Sequence, residues 1–357
     1  MSVALVIGVR PEVVKMAPVI RACRTLGFDS FVLHTGQHYD WALDGLFFAQ
    51  LELEKPDVRL DVRGGAREEQ LTRTRAAVRE VLEAKRARAI VVQGDTNSTL
   101  GAAFGGLDAG IPVVHVEAGL RCGDLRMAEE HNRRECDAFA QLLCAPTELS
   151  RSNLLGEHVP GQIAVTGNTV VDELHRQLAR LPAPDLSSFV VAPGEFLLAT
   201  VHRRETVEDD AALRDVFRGL ELAAEHAGMP VVAPLHPRTQ QRLAEVGVAL
   251  GKRVRAIPPA GYVEFMQLHR SAALVLTDSG GVQEEACVLG VPCVILRETT
   301  ERPEAVHVGA ARIAGVSADA ILDATRALLG RRGHWQNPFG DGKAGERIAK
   351  LVAELIA

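Results

Sequence analysis

Three acidic residues are candidates for acid–base chemistry, and one of them is hard to explain by packing. Glu117 lies in the run His115-Val116-Glu117-Ala118-Gly119-Leu120-Arg121, a carboxylate set between an apolar strand and a flexible glycine. A buried acid is costly unless it is paired, so a chemical role is a natural reading. Asp95 follows another apolar run, in Gly94-Asp95-Thr96-Asn97-Ser98-Thr99. It either serves a reaction or caps the helix that continues through Leu100 to Leu107. Glu129 and Arg133 are spaced to share a helix face, which suits an acid held for chemistry or a surface ion pair.

Cationic and glycine-rich turns are the second group. Arg10 and Lys15 bracket a helix start at Pro11, either to meet a phosphate or carboxylate or as solvated charges. His202-Arg203-Arg204 and His236-Pro237-Arg238 each follow an apolar run. Cations and N–H donors together suit a diphosphate, whereas a lone histidine in such a place is more commonly a core residue. The stretch Thr277–Gly290, TDSGGVQEEACVLG, turns from a strand into a helix through Ser279, Gly280 and Gly281. The unpaired N–H groups of a helix start make a seat for phosphate, and Ser279 has a hydroxyl to cap the helix or to meet an anion. A capped, flexible turn with no ligand is the alternative. Glu284 and Glu285 lie further into that helix, within reach of sugar hydroxyls, Tyr262 offers a stacking face for a base, and Arg302 opens another helix.

Apolar strands alternating with helical stretches must position these groups, the pattern of parallel α/β layers. Strands are expected at 3–8, 30–35, 89–93, 112–116, 141–144 and 163–166, then at 196–201, 231–235, 254–257, 273–277, 293–296 and 311–313. Two such sets in 357 residues predict two doubly wound domains. The boundary is expected at 167/168, inside a transition from 167 to 195 that includes the Pro182–Pro193 loop. An amphipathic C-terminal helix at about 345–357 has a return to the first domain as one possibility. Ligands in such folds sit at the carboxyl ends of strands, where the polar residues above cluster.

A net charge of −6 argues against a general nucleic-acid or anionic-membrane binder. No apolar window is long enough to span a bilayer, and the start MSVALVIGVRPE does not read as a leader, so a cytoplasmic protein is expected. The six cysteines form no CxxC pair and are expected to be reduced thiols. A P-loop, a GxGxxG turn after the first strand, a GxSxG elbow and HExxH are all missing, so neither a nicotinamide cofactor nor a zinc site is expected.

Taken together, GVRPEVVKMAPVI, HTGQH, GDTNST, HVEAGLR, EEHNRR, TGNTVVDEL, TVHRRE, HPRT, DSGGVQEEA and TTERPEAV closely resemble the non-hydrolysing UDP-N-acetylglucosamine 2-epimerases, in the same order from residue 8 to residue 306. The resemblance implies GT-B architecture: two Rossmann-like parallel-sheet domains facing across a cleft, a C-terminal helix crossing back to the first, and a homodimer. It implies interconversion of UDP-N-acetylglucosamine and UDP-N-acetylmannosamine with no cofactor and no metal. The route is anti elimination of UDP to 2-acetamidoglucal followed by re-addition. Catalytic roles then fall on Asp95, Glu117 and Glu129, with Lys15, Arg133 and His202 beside them. Arg10, His202, His236, Ser279, Gly280, Gly281, Glu285 and Arg302 would hold UDP.

The chain departs from the pattern at Val9, where Thr is usual, and at Met127-Ala128, where an aromatic-Pro pair and about two further residues are usual. Asp40 and Glu69 stand where Gln and Arg of a substrate-activation site are expected, beside matching Gln37 and His38, so little sigmoidicity in velocity is expected. The rivals are a GT-B glycosyltransferase, a hydrolysing epimerase, an epimerase of a related UDP-diacetamido sugar, and a catalytically dead UDP-sugar sensor.

Overall fold

The computed structural model describes residues 2–36, 45, 48–62, 64–181 and 183–357. The chain divides into two compact units, Met1–Gln177 with Phe339–Ala357, and Leu178–Pro338.

The first unit is built on a seven-stranded sheet: β1 (Ser2–Ile7), β2 (Ser30–His34), β3 (Val58–Arg59), β4 (Ala87–Gln93), β5 (Val113–Val116), β6 (Leu142–Ala145) and β7 (Gln162–Val165), in the order β3-β2-β1-β4-β5-β6-β7. Every pairing is parallel, with β4 and β5 in register at Val91↔Val114 and Val92↔His115. The central strands are unbroken apolar runs because helices cover both faces of a parallel sheet; all six residues of β1 are buried. The sequence reading omits β3, which has two residues at the sheet edge and is too short to carry a hydrophobic period.

The second unit repeats the plan with six parallel strands: β8 (Leu197–Thr200), β9 (Val231–Pro234), β10 (Val254–Ile257), β11 (Leu274–Thr277), β12 (Cys293–Ile295) and β13 (Ala311–Ile313), in the order β10-β9-β8-β11-β12-β13. Its core joins Leu197, Ala199, Leu274 and Leu276 of the strands to Val216, Phe217 and Leu220 of the helix Asp210–Ala227. Two Rossmann-like parallel-sheet units make this an α/β protein.

The first unit runs on to Gln177 instead of ending at 167, because the helix Thr169–Leu178 is tied into it. Arg21 donates to Glu173, and the Asp172 carboxylate accepts from the backbone N–H of Ala344 at 3.1 Å and of Gly345 at 2.8 Å. Those two N–H groups open the last helix, Ala344–Ile356, so Asp172 supplies the cap that its own N-cap residue Lys343 does not. That helix buries Ile348, Ala349 and Val352 and lies against the helix Arg10–Thr25. A Cβ on Gly345 would come within 2.7 Å of the Pro18 carbonyl carbon, which shows how close the two backbones run.

In each sheet the chain order reverses at one place, between β1 and β4 in the first unit and between β8 and β11 in the second. Connections leave those neighbours in opposite directions and open a crevice at the carboxyl ends, where open α/β sheets bind ligands.

Candidate functional site

The crevice of the first unit collects the turns after β1, β4 and β5. Glu117, the residue after β5, is only 6 % exposed, and Lys15 from the helix Arg10–Thr25 reaches both its carboxylate oxygens at 2.5 and 2.7 Å. Gln93, the last residue of β4, donates its amide to the same carboxylate. The Glu117 backbone has φ +69°, a left-handed conformation that disfavours a residue with a Cβ and costs about 1 kcal/mol or more. A strained backbone, a buried acid and a chelating lysine in one place mark a held carboxylate rather than a packing residue.

Asp95 follows the neighbouring strand β4, and its own side-chain partner comes from the helix Ala128–Phe139. Arg133, 1 % exposed, donates to the Asp95 carboxylate and, at 2.7 Å, to buried Glu130. Asn132 donates to the Asp95 carbonyl at 2.9 Å. The helix cap that Asp95 was open to supply is made by Thr96, whose hydroxyl accepts from Thr99 N. Arg133 is thus a core ion-pair residue and not a surface partner. Glu129, half-buried, lies in the first turn of the same helix.

Glu12 has no role in the sequence reading, yet the structure makes it the most confined acid of the β1 turn. Its carboxylate accepts from the N–H groups of Gly8 and Val9 and from the hydroxyl of Thr96 at 2.7 Å. Burial pushes its carboxyl up to about 7, against the lowering effect of the Thr96 hydroxyl and those two N–H groups. Its sequence position, in the first turn of a helix, is also where a solvated glutamate is ordinary, so nothing local marks it. Arg10 occupies the first position of that helix and is half-buried.

In the second unit the organiser is Asp278, fully buried at the end of β11. One carboxylate oxygen accepts from the backbone N–H of His202 at 2.7 Å and of Arg203 at 2.8 Å, and the other lies 3.0 Å from His202 Nδ1. Burial works against its charge, but the His202 ring and these N–H groups outweigh it and hold the carboxyl below its usual value. His202 itself keeps half of its side chain exposed. His236 is the N-cap of the helix Pro237–Glu245, with Nδ1 accepting from Arg238 N at 3.2 Å, which leaves the proton on Nε2.

Ser279 is the N-cap residue of the helix Gly280–Val288, but its side chain makes no cap hydrogen bond. The two glycines that follow differ. A Cβ on Gly280 would meet Arg302 Nη1 at 2.6 Å and Glu301 Oε1 at 3.0 Å, whereas one on Gly281 meets nothing within 4 Å. Packing within the protein therefore explains the first glycine and not the second. Gly280→Ala is expected to lower thermal stability by about 1–3 kcal/mol through overpacking, while Gly281→Ala holds or gains stability. If ligand rather than protein fills the space at Gly281, that silent variant still loses UDP affinity, read by calorimetric titration beside the melting curves.

Arg302 is buried, with Nε 2.8 Å from Glu284 and Nη1 2.7 Å from Glu301. Its charge is thus shared with two carboxylates at the helix start. Glu285 Oε2 lies 3.4 Å from Nδ1 of buried His269, whose ring packs against Phe265. Tyr262 is 8 % exposed, which leaves little of its ring to stack on a base. The structure therefore gathers Lys15 with Glu117, Asp95 with Arg133, and His202 with the turn of Ser279 through Asp278. Glu12, Gln93, Glu130 and Asp278, which contact the candidate residues or their turns, were given no role by sequence reasoning. Gln37, His38 and Asp40 lie outside the described residues, and Glu69 is an exposed residue in the first turn of the helix Arg67–Lys85.

All six cysteines are free thiols. Among the described residues no cluster of His, Cys, Asp and Glu has the arrangement to hold a metal ion, and no helix is long and apolar enough to cross a membrane.

The two units are those of a Rossmann-like α/β protein, with a buried acid–lysine pair at the crevice of one and open space at a glycine helix start in the other. Residues 21–353 match the family model described as UDP-N-acetylglucosamine 2-epimerase, and the chain belongs to that family of isomerases. It is 38% identical over 361 residues to the UDP-N-acetylglucosamine 2-epimerase of Methanocaldococcus jannaschii, covering 99% of both chains. A crystal structure of the Methanocaldococcus jannaschii enzyme in complex with UDP-GlcNAc and UDP superposes with TM-score 0.91 at 39% identity, over 99% of this chain and 100% of that one. The UDP-2,3-diacetamido-2,3-dideoxy-D-glucuronate 2-epimerase of Pseudomonas aeruginosa is 35% identical over 99% of this chain and 100% of its own.

Proposed function

We propose that this enzyme interconverts UDP-N-acetylglucosamine and UDP-N-acetylmannosamine. The observation that carries the reading is the buried Lys15–Glu117 pair at the crevice of the first unit, in a chain whose relative binds UDP-GlcNAc. Epimerisation at carbon 2 needs a proton taken from one face of the sugar and returned to the other. As the C2–H pair becomes the C1=C2 double bond of 2-acetamidoglucal, the C1–O pair leaves with UDP; re-addition reverses both changes after protonation on the opposite face. The scheme is redox-neutral.

Asp95, Glu117 and Glu129 are the proton-moving groups of the proposal. Lys15 and Arg133 set the charge and position of Glu117 and Asp95. UDP is assigned to Arg10, His202, His236, Ser279, Gly280, Gly281, Glu285 and Arg302. His202 stands at the leaving phosphate, and helix N–H groups share the charge that grows there. Arg302, already paired with Glu284 and Glu301, acts chiefly by shaping that helix start. The resemblance further supports a cytoplasmic homodimer that supplies a nucleotide sugar for cell-surface polysaccharide.

Purified enzyme given UDP-N-acetylglucosamine alone in deuterated water, followed by NMR, tests the reading. The expected result is the manno epimer carrying deuterium at carbon 2 with little net UDP release. Free UDP with N-acetylmannosamine replaces it with hydrolysis, and reaction only on addition of an acceptor replaces it with glycosyl transfer. The Pseudomonas aeruginosa relative favours one second substrate, the UDP-diacetamido-glucuronate. The same assay with that sugar decides between the two by the ratio of kcat/KM.

A further inference from the structure

His115 takes no part in the chemistry above, yet it lies between the two turns that carry it. It sits in β5, two residues before Glu117, and is completely buried. Its Nδ1 lies 2.6 Å from Oδ1 of Asp137, itself fully buried, and its Nε2 lies 2.8 Å from the carbonyl oxygen of Gly94. Both neighbours are acceptors: a carboxylate, and a carbonyl with two lone pairs. A neutral imidazole has one N–H and one bare lone pair, so either tautomer would set a lone pair against an oxygen at hydrogen-bond distance. Only the imidazolium, with an N–H on each side, satisfies both contacts.

The two contacts lead to the two catalytic turns. Gly94, at φ +80°, is the residue before Asp95, and its carbonyl is pinned by the ring. The other oxygen of Asp137 accepts from Gly119 N at 3.1 Å and from Arg121 at 2.8 Å, which fixes the chain just beyond strained Glu117. We propose that His115 is a positioning residue, held as a buried imidazolium by Asp137, that braces the Gly94–Asp95 turn and the loop after Glu117 so that both carboxylates meet the sugar in fixed geometry. The inference rests on the proposed roles of Asp95 and Glu117. Burial works against a charge on His115, but the neighbouring Cys136 and Asp137 side chains outweigh it and lift the imidazole well above its ordinary value. Arg121, which is also bridged to Glu157, balances the second oxygen of Asp137.

A brace of this kind affects the chemical step and not the hold on UDP, whose proposed partners other than Arg10 all belong to the other unit. His115→Gln is therefore expected to lower kcat about 100-fold, the effect of a catalytic group displaced by about 1 Å, with KM and the Kd for UDP within about twofold of wild type. Long-range proton–nitrogen NMR of the wild type at pH 8 should show one histidine with both ring nitrogens protonated, and this signal should be missing in His115→Gln. Should that variant fail to fold, Asp137→Asn provides the second reading: the imidazolium signal should become neutral at pH 8 while kcat falls.

Wild-type kcat in His115→Gln, a fall in UDP affinity that parallels kcat, or a neutral His115 in the wild type would each overturn the proposal. A wild type that moves no deuterium into carbon 2 would instead remove the epimerase reading. The NMR signal would then still decide whether the brace exists.

Discussion

Glu117→Gln should abolish deuterium uptake at carbon 2, with kcat down about 1,000-fold and UDP binding retained. Loss of a positioned acid or base removes about 10²- to 10⁴-fold, and an amide can neither take nor return the proton. The structure adds a second, separable effect. The Lys15 side chain is only 8 % exposed and makes two short contacts to this carboxylate. Neutralising Glu117 breaks this buried ion pair, which costs about 3 kcal/mol at the low end of the range for such pairs. Adding Lys15→Met to Glu117→Gln should restore much of that stability and none of the activity. Thermal melts read against NMR exchange rates make the check: full activity in Glu117→Gln removes the residue from the chemistry, and an unchanged melting temperature removes the argument from burial.

Asp278→Ala is expected to act at the other end of the reaction, with UDP affinity down about 100-fold. The substitution takes the acceptor from two backbone N–H groups and from the His202 ring, so the turn after β8 loses the contact that shapes it. Hydrogen bonds to a buried charge are worth about 1.5–3 kcal/mol each, so the second unit should also melt earlier. The pH dependence has a definite sign. A carboxyl held below its unfolded value of 3.8 contributes stability that is fully present above that value and is lost as pH falls through the lower folded value. Wild type should therefore lose stability steeply below about pH 4, where Asp278→Ala should be flatter. Unfolding curves between pH 3 and pH 7 for both proteins give the comparison. Equal slopes would show that Asp278 is not the titrating group.

Much of this architecture is readable from the chain because parallel strands buried on both faces are unbroken apolar runs. All twelve expected strands are present to within one or two residues. What escaped was an element with no period to read, the two-residue β3. The site residues divide in the same way. Ser279, Gly280 and Gly281 announce themselves because a strand-to-helix turn is local, and the open space at Gly281 adds to that reading. Asp278, one residue earlier, shows nothing of its role in sequence, since its partners lie 75 and 76 residues away.

The same limit separates Glu117 as a candidate from Glu117 as a held carboxylate. Sequence determined that an acid follows an apolar strand, that a lysine stands early in the first helix and that the chain forms two parallel sheets. Local pattern records which face of an element is buried and where it stops. Only tertiary structure decided that Lys15 grips Glu117 across 102 residues, that Arg133 turns inward to Asp95 across 38, and that Thr96 rather than Asp95 caps its helix. Those pairings follow from strand order, which sets β1, β4 and β5 side by side. Strand order is fixed by how whole elements pack, and no short stretch of residues carries it.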